Sequence, residues 1–487
     1  MPNTYKGKQA AVFSAACKVT AMHYVLNPNI ALRSWRLVPF AYYIKGERNA
    51  RGLKGEEFDF LSACDGKTEL PSATDSPLAE KFLANGFIHI AEKGEETEQW
   101  SRPRLCDNRY FPAMNWMITG KCNYNCLHCF NAADNAPLQS EWTAEEAEKL
   151  LDEAYDCGIN AFTITGGEPM LHKNFFDIIE GIYKRNMFVE EINTNGYYIT
   201  AAALERLKKI GCVPLMKISF DGLGFHDWMR NREGAEENAL NAIKLCIENG
   251  FPVKVQTNVN RKNLDTMLKT AELLDSIGVS EMRIIRTTEA PRWVQNAGDA
   301  ALSLNEYYDE AIKLWQNYAA GKHKMVLTVW QFGTLYPVTR HYSLAAVGAC
   351  TGEYRDSLPV CRGNRGMIAV AANGNVFPCH QQSGYYEQHN DIPGNLKKEP
   401  LRELLSGGRY LDEVCLTVGT LREKNGKCGE CKYFEHCLGG CRAIALALTN
   451  NKLGVDPAKC LFWEQGYYER IKKAMPEFIN TTPAEDI

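Results

Sequence analysis

Lys121-Cys122-Asn123-Tyr124-Asn125-Cys126-Leu127-His128-Cys129-Phe130 follows directly on a strand-like run, Asn115-Trp-Met-Ile-Thr119. Its cysteines are spaced Cys-x3-Cys-x2-Cys. Three thiolates can hold three corners of a cubane [4Fe–4S] cluster, which normally takes four cysteines. With no fourth cysteine close by, one iron is left open to another ligand. Structural zinc closes its sites with four ligands, commonly in pairs, so this spacing suits it poorly.

The next strand-like segment, Ala161-Phe-Thr-Ile-Thr165, runs into Gly166-Gly167-Glu168-Pro169. Glycines allow a backbone to approach a ligand where a Cβ would intrude. Together the triad and the Gly-Gly-Glu-Pro turn resemble the radical SAM superfamily. That resemblance implies that S-adenosylmethionine (SAM) chelates the open iron through its amino and carboxylate groups. It also implies that the backbone and glutamate of the second motif hold the SAM amino group.

From about residue 112 to 322, strand-like and helical patterns alternate. The strands read as Asn115–Gly120, Ala161–Thr165, Glu190–Thr194, Leu215–Phe220, Val253–Val259 and Met282–Ile285. Helical periods at Thr143–Cys157, Phe175–Arg185, Ala201–Ile210, Glu236–Asn249 and Asn263–Ile277 lie between or after them. The first opens with Thr143-Ala-Glu-Glu146, close to a capping box. Strands each followed by a helix predict parallel pairing with right-handed crossovers, and such barrels place their sites at the C-terminal strand ends. Both motifs fall there. The resemblance is to the partial (β/α)6, TIM-like barrel of the radical SAM core. In relatives, residues like Asn195, Ser219, Asp221 and Arg230, at or after the third and fourth strands, contact SAM. An arginine suits a carboxylate by its paired donors, although turn chemistry or an ion pair would also account for these residues.

Cysteines return late in the chain: Cys361, then Gly374-x4-Cys379, then Cys428, Cys431, Cys437, Cys441 and Cys460, with Cys350 upstream. This pattern resembles the SPASM extension of some radical SAM enzymes. The resemblance implies two auxiliary [4Fe–4S] clusters, one on Cys350, Cys361, Cys379 and Cys441, the other on Cys428, Cys431, Cys437 and Cys460. Without Cys350 the first would keep an open iron. A zinc ribbon suits only the 428–441 segment. The remaining cysteines are assigned no role. His380 is a candidate base by position alone, a structural hydrogen bond being its better reading.

Residues 1–107 read as strand around Trp35–Ile44, helices at Glu56–Cys64 and Pro77–Asn85, and strand at Phe87–Ile90. Their order resembles the winged-helix domain that recognises precursor peptides, typified by the coenzyme PQQ chaperone. It implies that a leader peptide adds a strand at the sheet edge near Phe40–Ile44. A structural cap is the plain alternative. A DNA-binding winged helix would want a basic face, and acids and bases are nearly balanced here.

The expected architecture is thus α/β: 1–107 winged helix, 108–322 radical SAM core, 323–349 bridge, 350–470 two-cluster SPASM domain, 471–487 tail. The chain of 487 residues has net charge −4, which gives no reason to expect nucleic acid or an anionic membrane as partner. It lacks a signal-peptide pattern and any long apolar run. Eighteen cysteines in such a chain point to a reducing cytoplasm and iron–sulfur chemistry. The resemblance implies an enzyme that modifies a ribosomally made precursor peptide, bound through its leader. Its cofactors would be three [4Fe–4S] clusters and SAM, with a flavodoxin or ferredoxin as electron donor. A thioether or carbon–carbon crosslink is the expected product. The alternatives are a maturase of the formylglycine-forming, sulfatase-activating type, and an iron–sulfur sensor that binds DNA. A sensor has no use for the SAM motif.

Overall fold

The structure, a computed structural model, describes residues 21–130, 140–287, 291–345 and 355–481. Two units form. The first runs to Leu105, except that Trp35–Leu37 and Gly46–Asn49 belong to the second, which holds everything from Cys106 onward.

In the first unit the expected helices occur at Gly55–Ser62 and Pro77–Ala84. The second is capped by Ser76 Oγ, which accepts from Ala79 N, and opens with Pro77, whose missing N–H costs nothing there. The run read as one strand at 35–44 is a hairpin instead, Ile30–Trp35 and Val38–Ile44, turning at Arg36-Leu37. The edge expected to receive a leader is already taken over part of its length. Ala41 and Tyr42 pair with Gly52 and Arg51, and Leu53 N donates to Phe40 O at 2.9 Å. Among the described residues a different edge is open: strand Ile88–Ile90 pairs with Tyr24–Leu26 on one side only. Since Phe87 O and Ala91 N bond toward that partner, the alternation of an antiparallel ladder turns the peptide groups of Ile88 and Ile90 outward.

In the second unit all six expected strands are present and parallel: Ala113–Thr119, Ala161–Gly166, Phe188–Thr194, Leu215–Ser219, Val253–Val259 and Glu281–Arg286. The apolar run at 325–331 adds a seventh, Val326–Val329, followed by an antiparallel hairpin, Gly333–Tyr336 and His341–Leu344. Met367–Val370 joins the other side, parallel to Ala113–Thr119. On five of the six strands one residue in two enters the core: Met114, Trp116 and Ile118, then Phe162 and Ile164, Met216 and Ile218, Val253 and Val255, Met282 and Ile284; the third, irregular in register, contributes Val189 and Ile192. Amphipathic helices cover this outer face. Helix Ala144–Asp156 starts with a reciprocal cap, Glu146 N to Thr143 Oγ1 at 3.2 Å and Thr143 N to Glu146 Oε2 at 2.9 Å. The opposite face of the strands, turned inward by the period of two, is polar.

Candidate active site and metal centres

The cysteine loop leaves the first barrel strand and is held by the segment that follows the fourth strand. Leu127 N donates to Met229 O at 3.0 Å. Arg232 donates to Asn123 O at 3.1 Å and lies over the rings of Tyr124 and Tyr197, at 5.2 and 4.8 Å. Such contacts combine charge and aromatic surface. Cys126 is buried, Cys129 half-buried and Cys122 exposed.

The Gly-Gly-Glu-Pro turn sits against this loop. Gly167 N donates to Thr119 O at 2.8 Å and Glu168 N to Lys121 O at 2.9 Å. A Cβ on Gly167 would come within 2.3 Å of Lys121 O, so only glycine allows this approach. Pro169 opens a short 3-10 turn, Pro169–Leu171. Glu168 is fully buried, and burial pushes its carboxyl up to about 7 against three opposing donors. Those donors are Met170 N at 3.1 Å, Asn195 N at 2.8 Å and the Thr194 hydroxyl at 2.9 Å. A carboxylate offers about four lone-pair sites, so one remains for a further donor. Asn195 also donates from Nδ2 to Asn123 Oδ1 at 2.8 Å and to Cys122 Sγ at 3.8 Å.

Ser219 ends the fourth strand, half-buried. Asp221 and Arg230 form a buried ion pair, Arg230 Nε to Asp221 Oδ2 at 2.7 Å and Nη2 to Oδ1 at 3.1 Å. Burial would raise the Asp221 carboxyl, but Arg230 and His226 hold it well below the usual carboxylate range. The remaining arm of Arg230, Nη1, donates to Cys126 Sγ at 3.8 Å. Arg230 is thus engaged within the protein. Sequence reasoning missed three residues here: Thr194, His128, and Asn258, whose Nδ2 is 3.0 Å from His128 Nε2. Burial pulls His128 down to about 4, so it stays neutral. Their position at strand ends beside the two motifs was the available signal.

Late in the chain, Cys379 is pushed up to about 12 by burial, then by the neighbouring charges of Cys441 and Cys361. Cys350 lies outside the described residues. Among the other cysteines, Cys428 neighbours Cys431, Cys460 neighbours Cys428, and Cys437 neighbours Cys460. Asp456 lies between the two groups. It caps helix Pro457–Glu464, which bears Cys460, and accepts Cys441 N at 2.7 Å. The chain reverses from Cys437 to Cys441 through Leu438, Gly439 and Gly440, all left-handed. His380 Nε2 meets Asn115 O at 3.1 Å, a structural bond. Among the described residues no three histidine, cysteine or acidic side chains converge as tightly as a single ion needs. The donor set of the first loop and of both late groups is sulfur alone, which fits iron–sulfur clusters; a thiol that ligates a metal is deprotonated outright.

The sequence model of the radical SAM superfamily matches residues 116–274, and that of an iron–sulfur cluster-binding domain, SPASM, matches 361–437. The chain is 28% identical over 347 residues to an AdoMet-dependent heme synthase of Methanosarcina barkeri, covering 70% of this chain and 94% of the relative. It is 25% identical over 346 residues to the PqqA peptide cyclase of Granulibacter bethesdensis, covering 71% and 86%. Among solved structures, SuiB of Streptococcus suis, bound to the precursor peptide SuiA, shares the fold with a TM-score of 0.63 at 14% identity, over 90% of this chain and 99% of that one. The chain is therefore a radical SAM enzyme, with the partial-barrel fold and with [4Fe–4S] clusters and SAM as cofactors. More particularly, it is one that bears a C-terminal SPASM domain. No helix among the described residues is long and apolar enough to cross a membrane.

Proposed function

We propose that this enzyme modifies a ribosomally made precursor peptide, installing a thioether or carbon–carbon crosslink. The observation that carries the reading is the joining of the cysteine loop and the Gly-Gly-Glu-Pro turn, through Gly167 and Glu168, at the mouth of a barrel that follows a separate N-terminal unit. SuiB, whose solved structure holds a precursor peptide, shares the fold over 90% of this chain. PqqA peptide cyclase is a relative by sequence.

When bound, the cluster and SAM would supply a 5′-deoxyadenosyl radical able to take a hydrogen atom from the peptide, and the auxiliary clusters would take up the electron that crosslinking leaves behind while its proton passes to solvent. Cys122, Cys126 and Cys129 hold the first cluster. Glu168 receives the SAM ammonium on its remaining lone pair, beside the Gly166-Gly167 and Pro169 backbone. Asn195 and Ser219 line the same mouth. Asp221 fixes Arg230, which steadies the Cys126 sulfur. Cys361, Cys379 and Cys441, with Cys350, hold one auxiliary cluster; Cys428, Cys431, Cys437 and Cys460 hold the other. The proximity of the cysteines within each late group supports that division. The N-terminal unit, a winged helix of the precursor-recognising kind, binds the leader and raises the local concentration of the core peptide. The enzyme works in the cytoplasm with a flavodoxin or ferredoxin as donor.

The test is anaerobic incubation of reconstituted enzyme with SAM, reductant and each short peptide encoded beside its gene. The reading expects 5′-deoxyadenosine together with a peptide lighter by two hydrogens. A second reading, modification of a tetrapyrrole, is favoured by the likeness to heme synthase. Turnover of an iron coproporphyrin with every peptide left unchanged would overturn the first reading in favour of the second.

A further inference from the structure

The charges on the inner face of the barrel do not cancel. Lys217 pairs with Glu191 at 2.6 Å and Lys254 with Glu281 at 2.7 Å. Arg283 stands on the same face, because its neighbours Met282 and Ile284 are both in the outer core. Among the described residues it has neither an acidic partner nor a hydrogen bond, and its Nε is buried without one. A guanidinium cannot lose its charge to escape this position, and this half-buried one has donors left for a partner.

The surroundings of Arg283 are built for a polar guest. Register sets it beside Gln256 on one side and Thr328 on the other, and sets Gln256 beside Ser219. The side-chain oxygens of Asn115 and Asn193, on the same inner face, are also buried without partners. Ser219 is the last residue of its strand, so this row lies just beneath the mouth where the cysteine loop and the Gly-Gly-Glu-Pro turn meet. A substrate group held in this row would sit below the reacting centre.

We propose that Arg283 binds a carboxylate of the substrate inside the barrel, with Gln256 and Ser219 as neutral flanking donors. The planar guanidinium matches a carboxylate with two parallel hydrogen bonds. Resting on the peptide reading, the carboxylate is an acidic side chain or the C-terminus of the core peptide. A tetrapyrrole propionate offers the same chemistry from another source. Arg283 then fixes which substrate carbon faces the mouth, and so acts as a specificity-determining residue.

Saturation-transfer NMR on the reconstituted full-length enzyme tests this. The probes are N-acetyl-glutamate methylamide, its glutamine counterpart, and coproporphyrin III, against wild type, Arg283→Gln and Arg283→Lys. Wild type is expected to prefer the glutamate probe about tenfold, as for a charged hydrogen bond. That preference should vanish in Arg283→Gln and persist in weakened form in Arg283→Lys, which keeps the charge without the paired donors and shows that the site remains folded. If coproporphyrin III alone binds in an Arg283-dependent way, the carboxylate site stands and the peptide reading falls. If neither acid depends on Arg283, the site is overturned while the peptide reading is untouched.

Discussion

The backbone N–H of Asn195 donates to Glu168 Oε2 at 2.8 Å. The end of the third strand is thereby tied to the turn after the second, and the Asn195 side chain continues the tie into the cysteine loop through Asn123. One carboxylate organises three consecutive structural pieces of the mouth.

This gives a pH prediction. Burial raises the Glu168 carboxyl to about 7, and the SAM ammonium needs it ionised. SAM affinity should fall as pH drops below about 7, by up to about tenfold per unit. Glu168→Gln should bind SAM weakly with a flat profile. For fold stability without SAM the sign is opposite. A raised carboxyl contributes most below its unfolded value and loses that contribution as pH rises through 7. Calorimetric SAM titrations between pH 6 and 8 decide it; a flat wild-type profile refutes the assignment.

Cluster stoichiometry provides the second prediction. Reconstituted wild type should hold about twelve iron and twelve sulfide, as three cubanes require. Replacing Cys122, Cys126 and Cys129 together by alanine should remove about a third of the iron and all SAM cleavage. Iron near four in wild type would contradict three clusters.

Asp221→Asn should leave Arg230 as a buried cation with a weakened partner. Breaking such a pair costs about 3–5 kcal/mol. The expected result is a lower urea midpoint for the apo protein and a changed spectrum for the first cluster, because Arg230 also donates to Cys126. An unchanged midpoint would mean that the pair bears no load.

Gly440 has φ +72°, and a Cβ there would sit 2.5 Å from Asp456 Oδ2. Gly440→Ala should cost about 2 kcal/mol or more, from left-handed strain and a disturbed helix cap. Auxiliary iron should fall while SAM cleavage persists. Full iron content in this variant would show that Asp456 can move freely.

Leader binding, measured by fluorescence anisotropy with labelled copies of the leaders encoded beside the gene, should be lost in Ile90→Pro, which removes an outward N–H. It should be retained in Ile479→Ala, a change to an exposed side chain far along the chain. Unaltered binding in Ile90→Pro would rule out that strand edge.

Much of the barrel was legible because most of its strands obey a period of two and some helices carry a clear start signal, such as Thr143 with Glu146. The hairpin at Arg36-Leu37 was not, since its turn contains no glycine, asparagine or aspartate to mark it. Nor could the sequence reveal that Met367–Val370 pairs with Ala113–Thr119, because that contact depends on how distant segments meet. The same limit hid the partners of Arg230. Its residue type suits a SAM carboxylate, but Asp221 and Cys126 reach it first.

That pairing of Met367–Val370 with Ala113–Thr119 bears on how the protein is made. The strand that launches the cysteine loop keeps an unpaired edge until residue 370 has left the ribosome. An exposed parallel edge invites pairing with other chains. During synthesis the nascent barrel therefore passes through a vulnerable interval, and a fragment ending at residue 345 would retain that exposed edge permanently, making aggregation its expected fate.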